Sequence, residues 1–202
     1  RHGDFAIHKG DKIAGTRVIP LVIEQSKMDR AVEAAGPEPI FSVLPFHPRK
    51  VAVVTTGSEI QKGLIKDTFT PVLQGKLAEY SCEMIGQTKP GDDRTQITQD
   101  ILTFARNGAD MILCSGGMSV DPDDRTPGAI KDTGADIVTY GAPVLPGAML
   151  LLAYLDMEDR KIPVVGLPGC VMYAKRTIFD LVLPRLLADD RITAAEIAGY
   201  GE

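Results

Sequence analysis

The stretch MILCSGG, from Met111 to Gly117, joins a run of apolar residues to a serine and two glycines. A short continuous apolar run indicates a strand buried on both faces of a sheet, and the glycines indicate a turn at its end. The stretch VAVVTTG, from Val51 to Gly57, has the same pattern earlier in the chain. Helix-like segments alternate with further strand-like runs around these two. This β-α-β-α order predicts a largely parallel sheet with helices on both of its faces.

The remaining elements follow from the spacing of apolar residues and from capping signals. Further strands are predicted at Cys82–Gly86, Ile137–Tyr140, Leu150–Leu155 and Val164–Val165. Helices are predicted at Pro71–Tyr80 and Asp93–Asn107, after a cap at Thr126, at Val171–Ala188 and from Thr193. Pro184 is expected to kink or end the helix that contains it.

The first part of the chain, residues 1–48, has a different texture and is predicted to be a small β-rich segment. Its strand-forming runs are Asp4–Ile13, Val18–Ile23 and Ile40–Leu44. Ser26 could cap a short helix that continues through Ala35. Pro45 and Pro48 indicate a linker, after which residues 49–202 form the α/β domain.

Composition excludes several classes of function. The 202 residues carry a net charge of −5 without a basic run, which disfavours nucleic acid as a partner. The longest apolar run, Ala148–Leu155, is too short to cross a bilayer, so no membrane role is expected. Cys82, Cys114 and Cys170 are widely spaced and match no zinc pattern, which favours a reducing, cytoplasmic location. Cys170 begins a predicted helix, which is expected to lower its thiol pKa.

Four loops rich in glycine or hydroxyl groups follow predicted strands, including one at Gly141–Pro143. In parallel sheets, ligands bind at the carboxyl ends of the strands. Glycine lets the backbone approach a ligand, and N–H groups at a helix start attract phosphate. One such loop is usually only a turn, but four at one edge predict a site for a phosphorylated small molecule. The predicted binding residues are Thr56, Gly57, Ser58, Ser115, Gly116, Gly117, Ser119, Gly166, Pro168 and Gly169.

Carboxylates accompany these loops. Carboxylates beside a phosphate site often hold Mg²⁺, and the predicted metal ligands are Asp124 and Asp67. Asp92 and Asp93 follow the second strand, where function and helix capping are equal alternatives.

Five short segments follow one another in a characteristic order: Thr56–Ile60, Ile65–Thr68, Ser115–Val120, Asp123–Asp124 and Gly166–Gly169. This order resembles the molybdopterin-binding domain of molybdenum-cofactor biosynthesis, a family that includes the catalytic domains of gephyrin-like proteins. The resemblance extends over about Arg49–Leu187 and implies a three-layer α/β/α sandwich with a mainly parallel sheet. It also implies that the phosphate and pyran-dithiolene portion of molybdopterin lies over the loops at Thr56–Ser58 and Ser115–Gly117.

Two activities are implied by the resemblance: Mg-ATP-dependent adenylylation of molybdopterin, or insertion of molybdate with hydrolysis of the adenylylated form. In both, a carboxylate matching Asp124 is important and one matching Asp92 or Asp93 assists, so these three are the predicted catalytic residues. Ser58 and Cys170 depart from the insertion branch, which usually has aspartate and asparagine at these positions. These departures leave open a binding module that holds or delivers the cofactor without chemistry.

The resemblance further implies a homo-oligomer, a trimer or a dimer, and a molybdoenzyme or nucleotidyltransferase as partner. An unrelated nucleotide-binding α/β protein is a weaker alternative, because the sequence lacks both Gly-x-x-x-x-Gly-Lys-Ser/Thr and a post-strand Gly-x-Gly-x-x-Gly.

Overall fold

The structure, a computed structural model, describes residues 6–15, 17, 19–119, 121 and 123–201. Its backbone forms two compact units, Arg1–Pro45 and Phe46–Glu202.

The first unit contains the helix α1 (Gln25–Ala35), which ends at Gly36 and has no buried residue. The short helix predicted through Ala35 is therefore confirmed, but Ser26 lies inside it and Glu24 occupies the cap position. The described residues of this unit contain no strand, so the predicted β-rich character is not found among them. A strand needs a neighbouring strand for its N–H and C=O groups, and Pro20 interrupts one of the predicted runs. The predicted positions Asp4, Phe5 and Val18 lie outside the described residues.

The second unit is built on one six-stranded sheet with the order β2-β1-β3-β6-β5-β4. The strands are β1 (Lys50–Thr56), β2 (Glu83–Gly91), β3 (Met111–Ser115), β4 (Asp136–Tyr140), β5 (Leu151–Asp156) and β6 (Lys161–Leu167). Strand β5 runs opposite to the other five strands of this sheet, so the prediction of a mainly parallel sheet is confirmed. The reversal follows from a tight turn between β5 and β6, in which the Met157 N–H donates to the Arg160 carbonyl at 2.8 Å. Such a short connection can join only antiparallel strands.

Helices cover both faces of the sheet and complete the predicted three-layer sandwich. They are α2 (Ser58–Gln61), α3 (Phe69–Ala78), α4 (Arg94–Arg106), α5 (Thr126–Asp132), α6 (Phe179–Leu187) and α7 (Ala194–Gly199), with a 3-10 helix at Gly169–Met172. Alternate side chains of β1 face opposite cores. Val51 and Val53 pack with residues of α3 and α6, whereas Ala52 and Val54 pack with residues of α4 and α5.

The long helix predicted at Val171–Ala188 is not continuous. The 3-10 helix ends at Met172, and α6 begins only at Phe179. Asp180 accepts a hydrogen bond from the Thr177 N–H at 2.7 Å, which holds the intervening turn. Pro184 lies inside α6 and does not end it.

Candidate functional site

The carboxyl ends of the five strands that share one direction meet at one edge of the sheet. These ends are Thr56, Gly91, Ser115, Tyr140 and Leu167. The loops selected from the sequence therefore lie along this edge.

The loop after β3 is locked to the end of β1. Gly116 has a φ of +87°, which other residues rarely adopt, and a Cβ there would lie 2.5 Å from the Thr56 carbonyl oxygen. Gly117 has a φ of +53°, and its Cβ would lie 3.0 Å from Thr126 Oγ1. These glycines are thus required by the contact between two protein loops, whereas the sequence suggested close approach to a ligand.

Two buried threonines reinforce this contact. Thr126 Oγ1 donates to the Gly116 carbonyl at 2.8 Å and lies 3.1 Å from Thr56 Oγ1. Thr126 was predicted as a helix cap, but it is the first residue of α5 and Arg125 occupies the cap position. Thr56 and Ser115 are buried as well, so their hydroxyls serve the protein interior.

Asp124 differs from the other predicted site residues in having an unmet hydrogen-bonding group. Its Oδ2 atom is buried and has no hydrogen-bond partner in the described part of the chain. The residue borders a cavity of about 280 Å³ at the carboxyl edge of the sheet. The cavity is lined by Phe69, Gly116, Gly117, Met118, Ser119, Asp124, Met149, Leu167, Pro168 and Gly169. Six of the predicted residues, Gly116, Gly117, Ser119, Asp124, Pro168 and Gly169, therefore come together here.

Gly166, predicted to bind the ligand, packs against Met118, which lines the cavity. A Cβ at Gly166 would lie 2.4 Å from the terminal methyl of Met118. The glycine therefore makes room for the Met118 side chain, which is nearly buried and forms part of the cavity wall.

Asp92, Asp93 and Ser58 line a second, open depression of about 390 Å³, together with Gln61, Pro90 and Gln96. The Ser58 N–H and hydroxyl both donate to Asp92 Oδ2. Asp93 Oδ1 accepts from the N–H groups of Thr95 and Gln96, so this residue caps α4. Capping was one of the two alternatives for the pair. The predicted carboxylates thus fall into two separate sets, Asp124 at the cavity and Asp92 with Asp93 at the depression.

Asp67, a predicted metal ligand, is engaged at the start of α3. It accepts from the N–H groups of Phe69 and Thr70, and its Oδ2 lies 2.6 Å from Gln87 Nε2. Burial opposes its ionisation, but hydrogen bonds from Thr70 and Gln87 outweigh this and lower the pKa of Asp67, with Lys89 adding to the effect. Among the residues that the structure describes, no three His, Cys, Asp or Glu side chains are grouped to hold a metal ion.

Two residues near the site were missed in the sequence. The Tyr140 hydroxyl, at the end of β4, donates to the Ser119 carbonyl at 2.9 Å. Burial and, secondarily, the charge of Asp124 raise the pKa of Tyr140. Gln87 connects Asp67 to Thr55 through contacts of 2.6 and 2.8 Å. Both lie on strands, and neither belongs to the four loops selected from the sequence.

The expectation for Cys170 was wrong in direction. Burial raises the pKa of the Cys170 thiol, and a backbone hydrogen bond offsets only part of this effect. The helix that begins there is a single 3-10 turn, which is too short to stabilise a thiolate strongly.

Residues 52–188 match the family model described as "Probable molybdopterin binding domain". The chain belongs to this molybdopterin-binding family. The resemblance drawn from the loop order is thereby confirmed. A cavity at the carboxyl edge of the sheet is consistent with a family that binds a small molecule, because ligands bind at this edge in such sheets.

The individual relatives have low sequence identity to the chain or match only part of it. The chain is 26% identical over 182 residues to the molybdopterin molybdenumtransferase of Synechococcus elongatus, covering 86% of this chain and 42% of that protein. It is 31% identical over 85 residues to a CinA-like protein of Pseudothermotoga lettingae, covering 42% and 21% respectively. The chain thus spans less than half the length of these curated relatives.

Solved structures share the fold. The molybdopterin biosynthesis enzyme MoaB from Thermus thermophilus superposes with a TM-score of 0.54 at 22% identity, covering 68% of this chain and 91% of that one. Within the described part of the chain, no helix is long and apolar enough to span a bilayer.

Proposed function

We propose that the domain binds molybdopterin in the cavity beside Asp124 and takes part in maturation of the molybdenum cofactor. One observation carries this proposal: the buried Asp124 Oδ2 atom has no hydrogen-bond partner among the described residues. Leaving such an acceptor unsatisfied costs about 1–3 kcal/mol, and a donor on a ligand removes that cost. A carboxylate in this state, on the wall of a cavity at the ligand-binding edge, is suited to contact a bound molecule.

The phosphate of the ligand is proposed to lie against the glycine-lined part of the wall. The backbone of Gly116, Gly117 and Gly169 lines the cavity, together with Ser119. A Cβ at Gly169 would meet no atom within 4 Å, so the backbone at this position is open to a ligand. Backbone N–H groups and a hydroxyl can hold a phosphate without a basic side chain.

Insertion of molybdate is the activity we favour, and adenylylation with Mg-ATP is the other branch. The likeness to the Synechococcus elongatus molybdenumtransferase supports insertion, because it extends over 86% of this chain. A homo-oligomer, a cytoplasmic location and handover to a molybdoenzyme or nucleotidyltransferase belong to the same proposal and rest on the family resemblance.

A magnesium ion fits the predicted pair Asp67 and Asp124 poorly. Mg²⁺ requires six oxygen ligands in near-octahedral geometry. Asp67 already accepts hydrogen bonds on both oxygens and lies 3.5 Å from Lys89 Nζ. Asp124 is the one carboxylate among the residues that line the cavity. Asp67 and Asp124 together therefore do not supply the ligands of a magnesium site.

A non-catalytic binding module is the second candidate, and one contact favours it. Asp92, a predicted catalytic carboxylate, receives two hydrogen bonds from Ser58 at the start of α2. An aspartate at position 58 could not donate a side-chain hydrogen bond when ionised, so the serine converts this site into a structural contact. A chain that uses Asp92 in this way can retain binding without turnover.

Calorimetric titration of the whole protein with molybdopterin, under anaerobic conditions, tests the proposal. We expect Asp124→Asn to weaken binding at least tenfold, because a charge-assisted hydrogen bond is lost. Asp123→Asn is the matched control, since it removes the same charge from a fully exposed neighbouring side chain. The control should bind like the parent. Absence of binding by the parent would overturn the proposed function.

Two single-turnover assays separate the enzyme from the binding module. One measures molybdate insertion with hydrolysis of bound adenylylated molybdopterin, and the other measures AMP transfer from Mg-ATP to molybdopterin. Insertion that is lost in Asp92→Asn, with molybdopterin affinity retained, would establish catalysis in the insertion branch. If the parent binds molybdopterin but is inactive in both assays, the chain is a binding module.

A further inference from the structure

The chemistry of the cavity wall limits what Asp124 can recognise. Beside the carboxylate, the wall consists largely of the apolar side chains Phe69, Met118, Met149 and Leu167. Phe69, Met118 and Leu167 are themselves buried. A metal ion would find one carboxylate and the Ser119 hydroxyl among these groups, which is far from a full oxygen shell.

Within residues 6–15, 17, 19–119, 121 and 123–201, no neighbouring group donates a hydrogen bond to Asp124 Oδ2. The Tyr140 hydroxyl donates its hydrogen bond to the Ser119 carbonyl at 2.9 Å. The guanidinium of the adjacent Arg125 lies 3.6 Å from the carboxylate of Asp123. The missing donor must therefore come from outside the described residues.

We propose that Asp124 recognises the edge of a flat heterocycle that carries two adjacent N–H donors, namely the 2-amino and N3–H groups of a pterin. This inference rests on the proposed function and specifies which part of molybdopterin contacts Asp124. A carboxylate presents two acceptor oxygens that match two parallel N–H donors. The pairing satisfies the buried oxygen and gives the carboxylate a role in specificity instead of metal binding.

The apolar wall suits the rest of such a ring. Flat heterocycles gain affinity from contact with aromatic faces and with the polarisable thioethers of methionine. Phe69 and the two methionines, Met118 and Met149, provide these surfaces around the carboxylate. The volume of about 280 Å³ accommodates a bicyclic ring with a short tail.

The test compares two ligands that differ at the recognised edge. These are 6-(phosphooxymethyl)pterin and the corresponding lumazine, in which a 2-oxo group replaces the 2-amino group. Each is titrated into the whole protein, with molybdopterin as a third ligand. The parent should bind the pterin at least tenfold more tightly than the lumazine, because the oxo group would face the carboxylate. This comparison requires no substitution and does not depend on the folding of a variant.

Asp124→Asn provides the second arm, because asparagine offers one acceptor and one donor to the same edge. The pterin preference should fall below threefold or invert, since the asparagine amide complements the 2-oxo and N3–H groups of lumazine. Asp123→Asn should keep the parental preference. Thermal melting of each variant confirms that it is folded.

The outcomes distinguish this inference from the function on which it rests. Equal binding of pterin and lumazine by the parent, or binding of neither while molybdopterin still binds, overturns the role of Asp124 and leaves the proposed function standing. An unchanged pterin preference in folded Asp124→Asn also overturns it. If molybdopterin itself does not bind, the proposed function fails and this inference fails with it.

Discussion

Replacing Gly116 by alanine tests whether the glycine loop is held by the protein itself. An alanine Cβ at this position would lie 2.5 Å from the Thr56 carbonyl oxygen and 2.8 Å from Thr56 Oγ1. Thr56 is the last residue of β1 and pairs with Gly91 of β2, so its backbone cannot move without disturbing the sheet. The substitution therefore combines backbone strain with a collision against a fixed neighbour.

The magnitude has two parts. A φ of +87° places the residue in the left-handed region, which costs a non-glycine residue about 1–2 kcal/mol. Overpacking against a rigid neighbour adds about 1–3 kcal/mol. Together, Gly116→Ala should lower the free energy of unfolding by about 2–5 kcal/mol. With an m-value of about 2 kcal/mol/M, the urea midpoint falls by about 1–2.5 M.

Urea unfolding without ligand, followed by far-UV circular dichroism, measures this change, and two glycine controls separate its parts. Gly108→Ala has the strain alone, because φ is +92° but a Cβ would meet nothing within 4 Å. Its midpoint should fall by about 0.5–1 M. Gly169→Ala has neither positive φ nor a close neighbour, so its stability should match the parent. If Gly116→Ala is no less stable than Gly108→Ala, the loop yields at Thr56 and the argument for a locked contact is refuted.

Two further predictions concern buried groups. Asp180→Asn should destabilise the protein by about 3–5 kcal/mol in urea unfolding at pH 7, because it leaves the buried Lys76 ammonium without its carboxylate partner. The control, Asp132→Asn in the exposed pair with Arg94, should hardly change the urea midpoint. Despite its burial, hydrogen bonds led by that from Lys76 lower the pKa of Asp180. The stabilisation from ionised Asp180 is therefore present above the ordinary value of 3.8 and is lost as pH falls below it. The stability difference between the parent and Asp180→Asn should shrink as pH falls below 3.8, and a constant difference would contradict this. Burial raises the pKa of the Cys114 thiol to about 12. Iodoacetamide at pH 8 should therefore leave this thiol unlabelled in the folded protein and label it after unfolding, as measured by mass spectrometry. Rapid labelling of the folded protein would contradict the burial of Cys114.

Much of the fold could be predicted from the sequence because its signals are local. Continuous apolar runs such as Val51–Thr55 identify buried strands, and strand-helix alternation identifies a mainly parallel sheet. The break before α6 was not predictable in this way. It depends on Asp180, whose carboxylate pairs with Lys76 of α3, a contact between residues far apart in the chain.

The candidate site was predictable only in part, for a related reason. Loop order placed Gly116, Ser119 and Asp124 at one edge of the sheet, and the structure brings them to one cavity. The sequence could not show that Asp92 lines the open depression and Asp124 the cavity, because contacts between distant side chains decide where each carboxylate lies. Nor could it identify Tyr140, whose hydroxyl reaches the loop after β3 from a different strand.

A glycine in a loop sequence indicates a position where the backbone has an unusual conformation or where a side chain would not fit. It does not show which neighbouring group occupies the space that a side chain would fill. At Gly116 that neighbour is Thr56, and at Gly166 it is Met118, so both glycines are explained by the protein alone. At Gly169 the space is open. The strongest sign of a ligand therefore does not come from the glycines that first indicated the site. It comes from Asp124, whose buried Oδ2 atom accepts no hydrogen bond from the residues that the structure describes.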